Sequence, residues 1–400
     1  MLLSLLARPA AAGEPRRVEA IEVVGNHRTA TAFILKELGV RPGDAYDGGA
    51  DVLAQRLLNL RLFTSARVVA QPASEDTVTL EVAVEERWTL LPIPMFTSSG
   101  NDTSAGIFLL ESNLGGWGKV LALGGQIGDR KRSVFAAYRD PSVAGSRFTA
   151  GASVGWADDR AERYTGDTLA YAYRDERLSV RGDAGLRLTD RLTAGIGWFG
   201  LSVDTGASGT FAAPGRVADA WGLSTSIDYR GADFRLFYES GLNLHAQYEQ
   251  ALPGVFGGRE RKAGELRASF GQGNRLGHAW SLGVKGVWVD GDPVVDAIRL
   301  GGYPGSRGFS TGGLWAEQAA TASLEYQVPL WRPRWGIVST VALLDAGVVH
   351  GGGETTRYLA PGVGMRLHLA GIAIPALGID VAESSPVREP TVSVSMGFQF

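Results

Sequence analysis

The last ten residues, Thr391-Val-Ser-Val-Ser-Met-Gly-Phe-Gln-Phe400, alternate between bulky apolar and small or polar side chains. A period of two residues is that of a β-strand, whose successive side chains point to opposite faces. A strand of this length with one oily face can cross a bilayer at a tilt, and only a closed barrel satisfies its backbone groups there. The stretch therefore predicts the last strand of a transmembrane β-barrel.

The composition supports this prediction. The chain has 400 residues, 44% of them apolar, which excludes a disordered protein. No stretch approaches the roughly 18 consecutive apolar residues of a membrane-spanning helix. Its 55 glycines are about twice the usual share, as suits many tight turns. Cysteine is absent, so we expect neither disulfides nor thiolate metal sites. The net charge of -3 says little about partners.

The first residues indicate export from the cytoplasm. Residues 1–12 contain a short apolar core and end in Ala10-Ala-Ala12, which is compatible with cleavage by signal peptidase. We therefore expect residues 1–12 to be a signal peptide. The alternative is an apolar disordered tail.

Residues 17–87 differ from the rest of the chain. An extended run, Val18–Val24, ends at the turn signal Gly25-Asn26, and two segments with helical spacing of apolar residues follow. Two strands complete the segment, Arg67–Gln71 and Thr77–Glu85. The order is β-α-α-β-β, and seventy residues suffice for a small core.

Residues 88–94 read as a stiff linker, because Pro92 and Pro94 fix φ and donate no hydrogen bond. Residues 95–400 then read as a barrel without helices. The alternation predicts sixteen strands, at 103–111, 118–128, 131–139, 147–157, 164–174, 178–189, 191–203, 218–230, 238–250, 262–272, 277–289, 318–328, 335–349, 358–369, 371–382 and 391–400. Sixteen strands in series exceed the seven to nine of a typical β-sandwich domain. The fold class is therefore mainly β, a sixteen-stranded antiparallel transmembrane barrel after one small α/β module.

The connections between these strands alternate in length. Short turns at one end, such as Asp190, contrast with long loops at the other: Asp204–Arg216, Leu252–Arg261 and Asp290–Glu317. Short turns on one side and long loops on the other are typical of outer-membrane barrels.

The longest loop contains the strongest functional signal, Gly301-Gly-Tyr-Pro-Gly-Ser-Arg307-Gly308-Phe309. An arginine among glycines favours a carboxylate partner over water. Glu325 lies on the polar face of its predicted strand, and Asp345 lies in an apolar run where an acid would be costly on the lipid face. We expect both acids to face the lumen.

The chain resembles the BamA/TamA superfamily of barrel insertases and two-partner secretion transporters. The segment with Gly25-Asn26, Pro42-Gly43-Asp44 and Leu60-Arg-Leu-Phe63 is similar to a POTRA domain. The Arg307 loop, the strand around Ser323-Leu-Glu325-Tyr326 and Asp345-Ala-Gly347 are similar to that family's barrel. The resemblance implies that Arg307, with Gly308 and Phe309, anchors the sixth external loop in the lumen on Glu325 and Asp345.

The same resemblance implies an assembly signal at the C-terminus, formed by Met396, Phe398 and Phe400. It also implies residence in the outer membrane of a Gram-negative bacterium with the POTRA domain in the periplasm. The sequence has room for one POTRA module and no plug helix. BamA-like members of the family usually carry several POTRA modules, and secretion transporters carry two together with an N-terminal plug helix. The sequence therefore does not identify the client polypeptide.

We expect the protein to insert or translocate polypeptides, with client segments adding to a module strand by β-augmentation. The expected edge comprises the last strand of the module and the strand beside it, which is formed by Arg67, Val68, Val69, Ala70 and Gln71. A seam between strands 103–111 and 391–400 would be the second edge. A two-partner-secretion-type exporter, a passive porin and a structural surface antigen are the alternatives.

The expected partners are the outer-membrane bilayer, client polypeptides, lipopolysaccharide and periplasmic accessory proteins. We expect no nucleic acid, no cofactor and no metal, since the five histidines lack metal-ligand spacing. Gly151-Ala-Ser153-Val-Gly155 matches a nucleophile pattern, but Ser153 lies inside an alternating strand rather than a strand-to-helix turn. We therefore expect no catalytic residue and no enzyme activity.

Overall fold

A computed structural model describes residues 16–99, 102–165, 168–207, 216–302, 304–309, 312–372 and 375–395. The chain forms two compact units, one ending at Glu86 and one beginning at Arg87. The predicted signal peptide and the predicted C-terminal signal of Met396, Phe398 and Phe400 lie outside the described residues. No helix within these residues is both long and apolar enough to cross a membrane.

The first unit is a small α/β module. Its elements are β1 (Arg16–Val24), α1 (Thr31–Leu38), β2 (Ala45–Tyr46), α2 (Ala50–Asn59), β3 (Phe63–Pro72) and β4 (Thr77–Glu86). The sheet order is β2-β1-β4-β3, with β1 parallel to β4 and β3 antiparallel to it. The apolar faces of the helices and the sheet share a core that includes Phe33, Leu57 and Leu80. The predicted β-α-α-β-β order gains only the two-residue strand β2.

The second unit is a closed antiparallel barrel. In chain order its strands are β5 (Leu90–Ser99), β6 (Asp102–Leu114), β7 (Lys119–Gly128), β8 (Lys131–Asp140), β9 (Phe148–Thr165), β10 (Thr168–Arg187), β11 (Leu192–Ala207), β12 (Arg216–Arg230), β13 (Asp233–Arg235), β14 (Tyr238–Ala251), β15 (Lys262–Gly273), β16 (Ala279–Asp290), β17 (Ile298–Leu300), β18 (Leu314–Ala316), β19 (Gln318–Trp331), β20 (Gly336–Gly351), β21 (Glu354–Leu369), β22 (Pro375–Glu383) and β23 (Pro390–Ser395). Sixteen long strands close the barrel, and β5 lies beside β23. A short 3-10 turn (Val143–Gly145) and the helix α3 (Pro253–Phe256) lie in the connections.

The number of long strands agrees with the prediction, but two of the predicted boundaries were wrong. The predicted strands 164–174 and 178–189 are parts of one strand, β10, because the charged run Arg174–Arg177 stays in register with β9 and β11. The predicted linker 88–94 overlaps β5, which pairs with β6 from Leu90 to Ser99. A proline is tolerated in a strand where its nitrogen faces away from the ladder.

Each barrel strand has an outer apolar face and an inner face. Ile196 and Val363 on the outer face are 70% and 62% exposed, whereas Asp345 on the inner, lumenal face is fully buried. The three longest connections, 208–215, 252–261 and 291–317, lie at one end of the barrel, here called the loop end, and the opposite end is called the turn end. The connection between β16 and β19, residues 291–317, is called the sixth loop and carries the hairpin of β17 and β18.

Candidate functional site

The tip of the sixth loop lies inside the barrel. Arg307 is among the largest fully buried side chains of the chain, at 1% exposure. The loop packs on the lumenal faces of β20 and β21, where Phe309 and Leu314 join a buried cluster with Val349 and Ala360. The loop is therefore a lumenal element rather than an external one.

The guanidinium and backbone of Arg307 make a dense set of hydrogen bonds to the barrel wall. Its backbone N and its Nε both donate to Oδ2 of Asp345 at 2.9 Å, and its Nη2 donates to Oδ1 of the same carboxylate at 2.7 Å. Its Nη1 donates to Glu325 at 2.5 Å and its Nη2 to the hydroxyl of Ser323 at 2.6 Å. The structure thus brings both predicted acids onto Arg307.

A third acid, Asp380 on β22, completes the cluster and was not predicted. It accepts from Arg307 Nη1 at 3.3 Å and from both terminal nitrogens of Arg366, at 2.6 and 2.9 Å. Arg366 also lies 3.5 Å from Glu325. The reasoning used for Asp345 applies here too, since Asp380 stands between Ile379 and Val381. Two arginines and three carboxylates form what we call the tip anchor: Arg307, Glu325, Asp345, Arg366 and Asp380.

The two residues after Arg307 also have physical roles in the loop. Gly308 has φ of +91°, and a Cβ added there would lie 2.9 Å from the backbone N of Ser384. Glycine alone fits without strain at this position. Phe309 meets Tyr358 edge to face with ring centroids 4.8 Å apart, and the hydroxyl of Tyr358 donates to the carbonyl of Gly305. Arg307, Gly308 and Phe309 therefore lock one loop conformation.

A second set of charges holds the other side of the sixth loop and was missed from the sequence. Asp296, which is buried, accepts hydrogen bonds from Arg259 and lies 3.2 Å from Arg261. Arg299 donates to Asp159 at 2.9 Å and to Asp175 at 3.0 Å. We call these residues the base anchor. Its wall comprises β9, β10 and the loop before β15, and of these β9 and β10 are distant in strand order from β19–β22.

The base anchor corrects the interpretation of Arg259-Glu-Arg-Lys262. The sequence alone predicts that this charged run in a loop is a solvated cluster, with binding of lipopolysaccharide phosphate as the alternative. Arg259 instead pairs with Asp296, and Arg261 also pairs with Glu249 at 2.7 Å. Neither loop position nor local charge reveals these pairs, because the partners lie 12 to 37 residues away along the chain.

The remaining predicted positions lie in the module and in the barrel wall. Arg67–Gln71 lies in β3, which is an edge strand of the module sheet, whereas β4 is enclosed between β1 and β3. The expectation that the last module strand offers a free edge was therefore wrong. Ser153 lies within β9, in register with Arg181 and Ala137.

Comparison with protein families assigns both units. A model described as the Omp85 superfamily domain matches residues 113–382. A POTRA model described as a surface antigen variable number repeat matches residues 16–87. No curated protein matches the chain.

Solved structures share the fold at low sequence identity. CdiB from Escherichia coli is 14% identical with a TM-score of 0.70, the match covering 96% of this chain and 77% of that one. CdiB from Acinetobacter baumannii has a TM-score of 0.64 at 14% identity, covering 96% and 74%. BamA from Haemophilus ducreyi lacking POTRA domains 1–3 has a TM-score of 0.60 at 14% identity, covering 97% and 85%. At this identity the likeness shows the fold alone.

Proposed function

Because the chain belongs to the Omp85 superfamily of outer-membrane β-barrel proteins, we propose that it inserts client polypeptides into the outer membrane of a Gram-negative bacterium. Members of this superfamily insert or translocate proteins and are not classical enzymes. The observation that carries the proposal is the buried tip anchor. It fills the lumen with a fixed loop, which suits a protein-handling barrel better than an open porin.

The proposal places the module and the turn end in the periplasm, with residues 1–12 removed as a signal peptide. Clients reach the module from the periplasm as extended chains. The long connections of the loop end then face outward, where lipopolysaccharide is the surrounding lipid.

The module contributes a strand edge to which a client can add. The edge strand β3 has one neighbour, β4, so the backbone groups along its other side are open to β-augmentation within the module sheet. Residues Arg67, Val68, Val69, Ala70 and Gln71 form this edge. Periplasmic accessory proteins with a free strand would compete for it.

The barrel contributes a second edge at its seam. The predicted seam between 103–111 and 391–400 was placed one strand too far along, since β23 closes on β5. Ser112 N donates to Thr89 O, and these residues are opposite one another in the β5–β6 register. Bonded pairs alternate in an antiparallel ladder, so the nitrogens of Pro92 and Pro94 face β23. Two donors are therefore missing from the seam.

A weakened seam supports lateral opening, in which β5 and β23 part to template a client strand. The test is a disulfide across the seam, made by combining Ser393→Cys in turn with single cysteines along β5. The chain has no cysteine of its own, so the introduced pair supplies the only thiols. We expect the oxidised protein in proteoliposomes to lose insertion of an unfolded outer-membrane barrel, and reduction to restore it.

A matched control joins Val381 and Val392, which are opposite one another on β22 and β23. This disulfide links two strands that stay together in any lateral opening, so it should leave insertion unchanged. A seam-locked protein that still inserts its client would exclude lateral opening. If the locked protein instead still passes a secreted polypeptide, the exporter alternative would replace the insertase, and steady conductance without client handling would indicate a porin.

A further inference from the structure

The turn end of the barrel is crossed by two connections that fold under the lumen. One is the connection between β12 and β14, residues 231–237, which includes β13 paired back on β14. The other follows β21 and includes Ala370 and Ile372. Both reach residues on distant parts of the barrel wall.

Arg87 shows how far these connections reach. It immediately precedes the first barrel strand, whereas Phe234 lies between the eighth and ninth of the sixteen. These positions are on opposite sides of a barrel about 30 Å across, as strand spacing and tilt require. Yet the guanidinium carbon of Arg87 lies 5.3 Å from the centroid of the Phe234 ring.

The same guanidinium holds the second connection. Its Nη1 donates to the carbonyls of Ala370 and Ile372 at 2.7 and 3.1 Å. The Ile372 side chain packs on an apolar cluster on the lumenal faces of β5 and β6, which includes Leu91 and Phe108. Arg87 itself is only 7% exposed.

Phe237 extends the contact to a third part of the wall. Its ring lies 6.4 Å from that of His368 on β21 and 5.8 Å from the guanidinium carbon of Arg332, in the turn after β19. The connection between β12 and β14 therefore touches the chain before β5, the end of β21 and the turn after β19.

We propose that these contacts form a closure of the lumen at the turn end, centred on Arg87 and separate from the sixth loop. Arg87 directly follows Glu86, the last residue of the module, so the closure is attached to the module through one peptide bond. The closure concerns the resting lumen and holds whether the client is inserted or exported.

The experiment measures access to the lumen with a single thiol. Ser226 on β12 lies on the lumenal face, since its neighbour Ile227 is 56% exposed on the outer face. In the full chain in nanodiscs, Ser226→Cys is reacted with a bulky maleimide-polyethylene glycol, and the labelling rate is compared after adding Arg87→Ala or Phe234→Ala. We expect each second substitution to raise the rate several-fold, because it removes a contact that holds the closure. The sixth loop is intact throughout, so the increase would be due to the turn end.

Leu276→Ala is the matched control, since Leu276 lies in another turn at the same end and is 76% exposed. It should leave the rate at that of Ser226→Cys alone. Only proteins that show the heat-dependent gel shift of a closed barrel are compared, and Phe234→Ala carries the test if Arg87→Ala does not fold. Equal rates in the background and in the folded variants would overturn the closure, as would an equal rise with Leu276→Ala.

Discussion

The two anchors of the sixth loop use the same chemistry at different depths. In the tip anchor, the side chains of Arg307 and Asp345 are 1% and 0% exposed. In the base anchor, Arg299 and Asp159 are each 23% exposed, although Asp175 is buried. Water therefore reaches the Arg299–Asp159 pair of the base anchor and is excluded from the Arg307–Asp345 pair of the tip anchor.

This difference in exposure determines how much each anchor contributes to the stability of the folded loop. Breaking a buried ion pair by removing one partner leaves an uncompensated buried charge, whereas an exposed pair contributes little net stability. The tip anchor should therefore fix the loop in the lumen, and the base anchor should orient it.

Removing the Arg307 side chain should cause the largest loss of stability of any substitution in the two anchors. Arg307→Ala leaves Asp345 buried without its main cation and is expected to cost about 3–5 kcal/mol, as for one partner of a buried pair. Arg307→Lys should recover little, because an ammonium lacks the planar fork that meets both Asp345 oxygens. The measurement is the temperature at which the folded barrel loses its compact gel mobility, together with client insertion.

Asp204→Ala is the control, since it removes an exposed carboxylate from the loop end without touching either anchor. It should leave both measurements unchanged. If Arg307→Ala and Asp204→Ala behaved alike, the tip anchor would have no special role in holding the loop.

Sequence patterns revealed the tip anchor better than the base anchor for a physical reason. Glu325 and Asp345 occupy strands whose alternation assigns their faces, so their lumenal position follows from the period of two. Asp380 obeys the same rule and could have been found. Asp296 and Arg299 lie in a loop without a period, and their partners are set by how the loop folds.

The errors in the predicted strand boundaries also arise where the local sequence does not determine the pairing. The charged residues Arg174–Arg177 looked like a strand end, but charges are compatible with a strand that extends to the loop end of the barrel. Pro92 looked like a linker residue, but it is tolerated on β5 because its nitrogen points toward the seam. The prediction divided β10 into two strands and missed β5, and these two errors cancel in the total of sixteen. Agreement in the number of strands therefore does not show that the predicted boundaries are right.

A substitution in the base anchor should reduce the stability of the barrel less than a substitution in the tip anchor. Arg299→Ala is expected to destabilise the barrel by on the order of 1 kcal/mol, because its pair with Asp159 is partly exposed and the buried Asp175 keeps its pair with Arg177. Salt near 1 M, where the Debye length is about 3 Å, should reduce the difference between Arg299→Ala and wild type. The Arg307→Ala effect should persist at that salt. Equal salt sensitivity of the two variants, measured by the same gel shift, would show that both anchors are equally reached by water.

A second pinned loop, in the module, involves a carboxylate that accepts hydrogen bonds from backbone donors. Glu86 accepts from the backbone N of Thr29 at 2.7 Å and from that of Arg28 at 3.0 Å. Burial raises the pKa of Glu86, but hydrogen bonds from Thr29, Arg28 and His27 outweigh it and leave the pKa below its ordinary value of 4.5. The ionised form is therefore the one that the folded module favours.

The smallest expected effect compares this loop, held by neutral donors, with the sixth loop, whose two anchors are held by cations. A carboxylate whose pKa is lowered by folding contributes stability above its ordinary pKa, and the contribution is lost as the pH falls through the lowered value. Protection of the Arg28 and Thr29 amides against hydrogen exchange in the full chain should be constant near neutral pH and decrease below about pH 4. Glu86→Gln keeps an acceptor oxygen but no titrating group, so its protection should be weaker at neutral pH and should not decrease with acid. A decrease of equal size in that variant would assign the acid sensitivity to other carboxylates of the module rather than to Glu86.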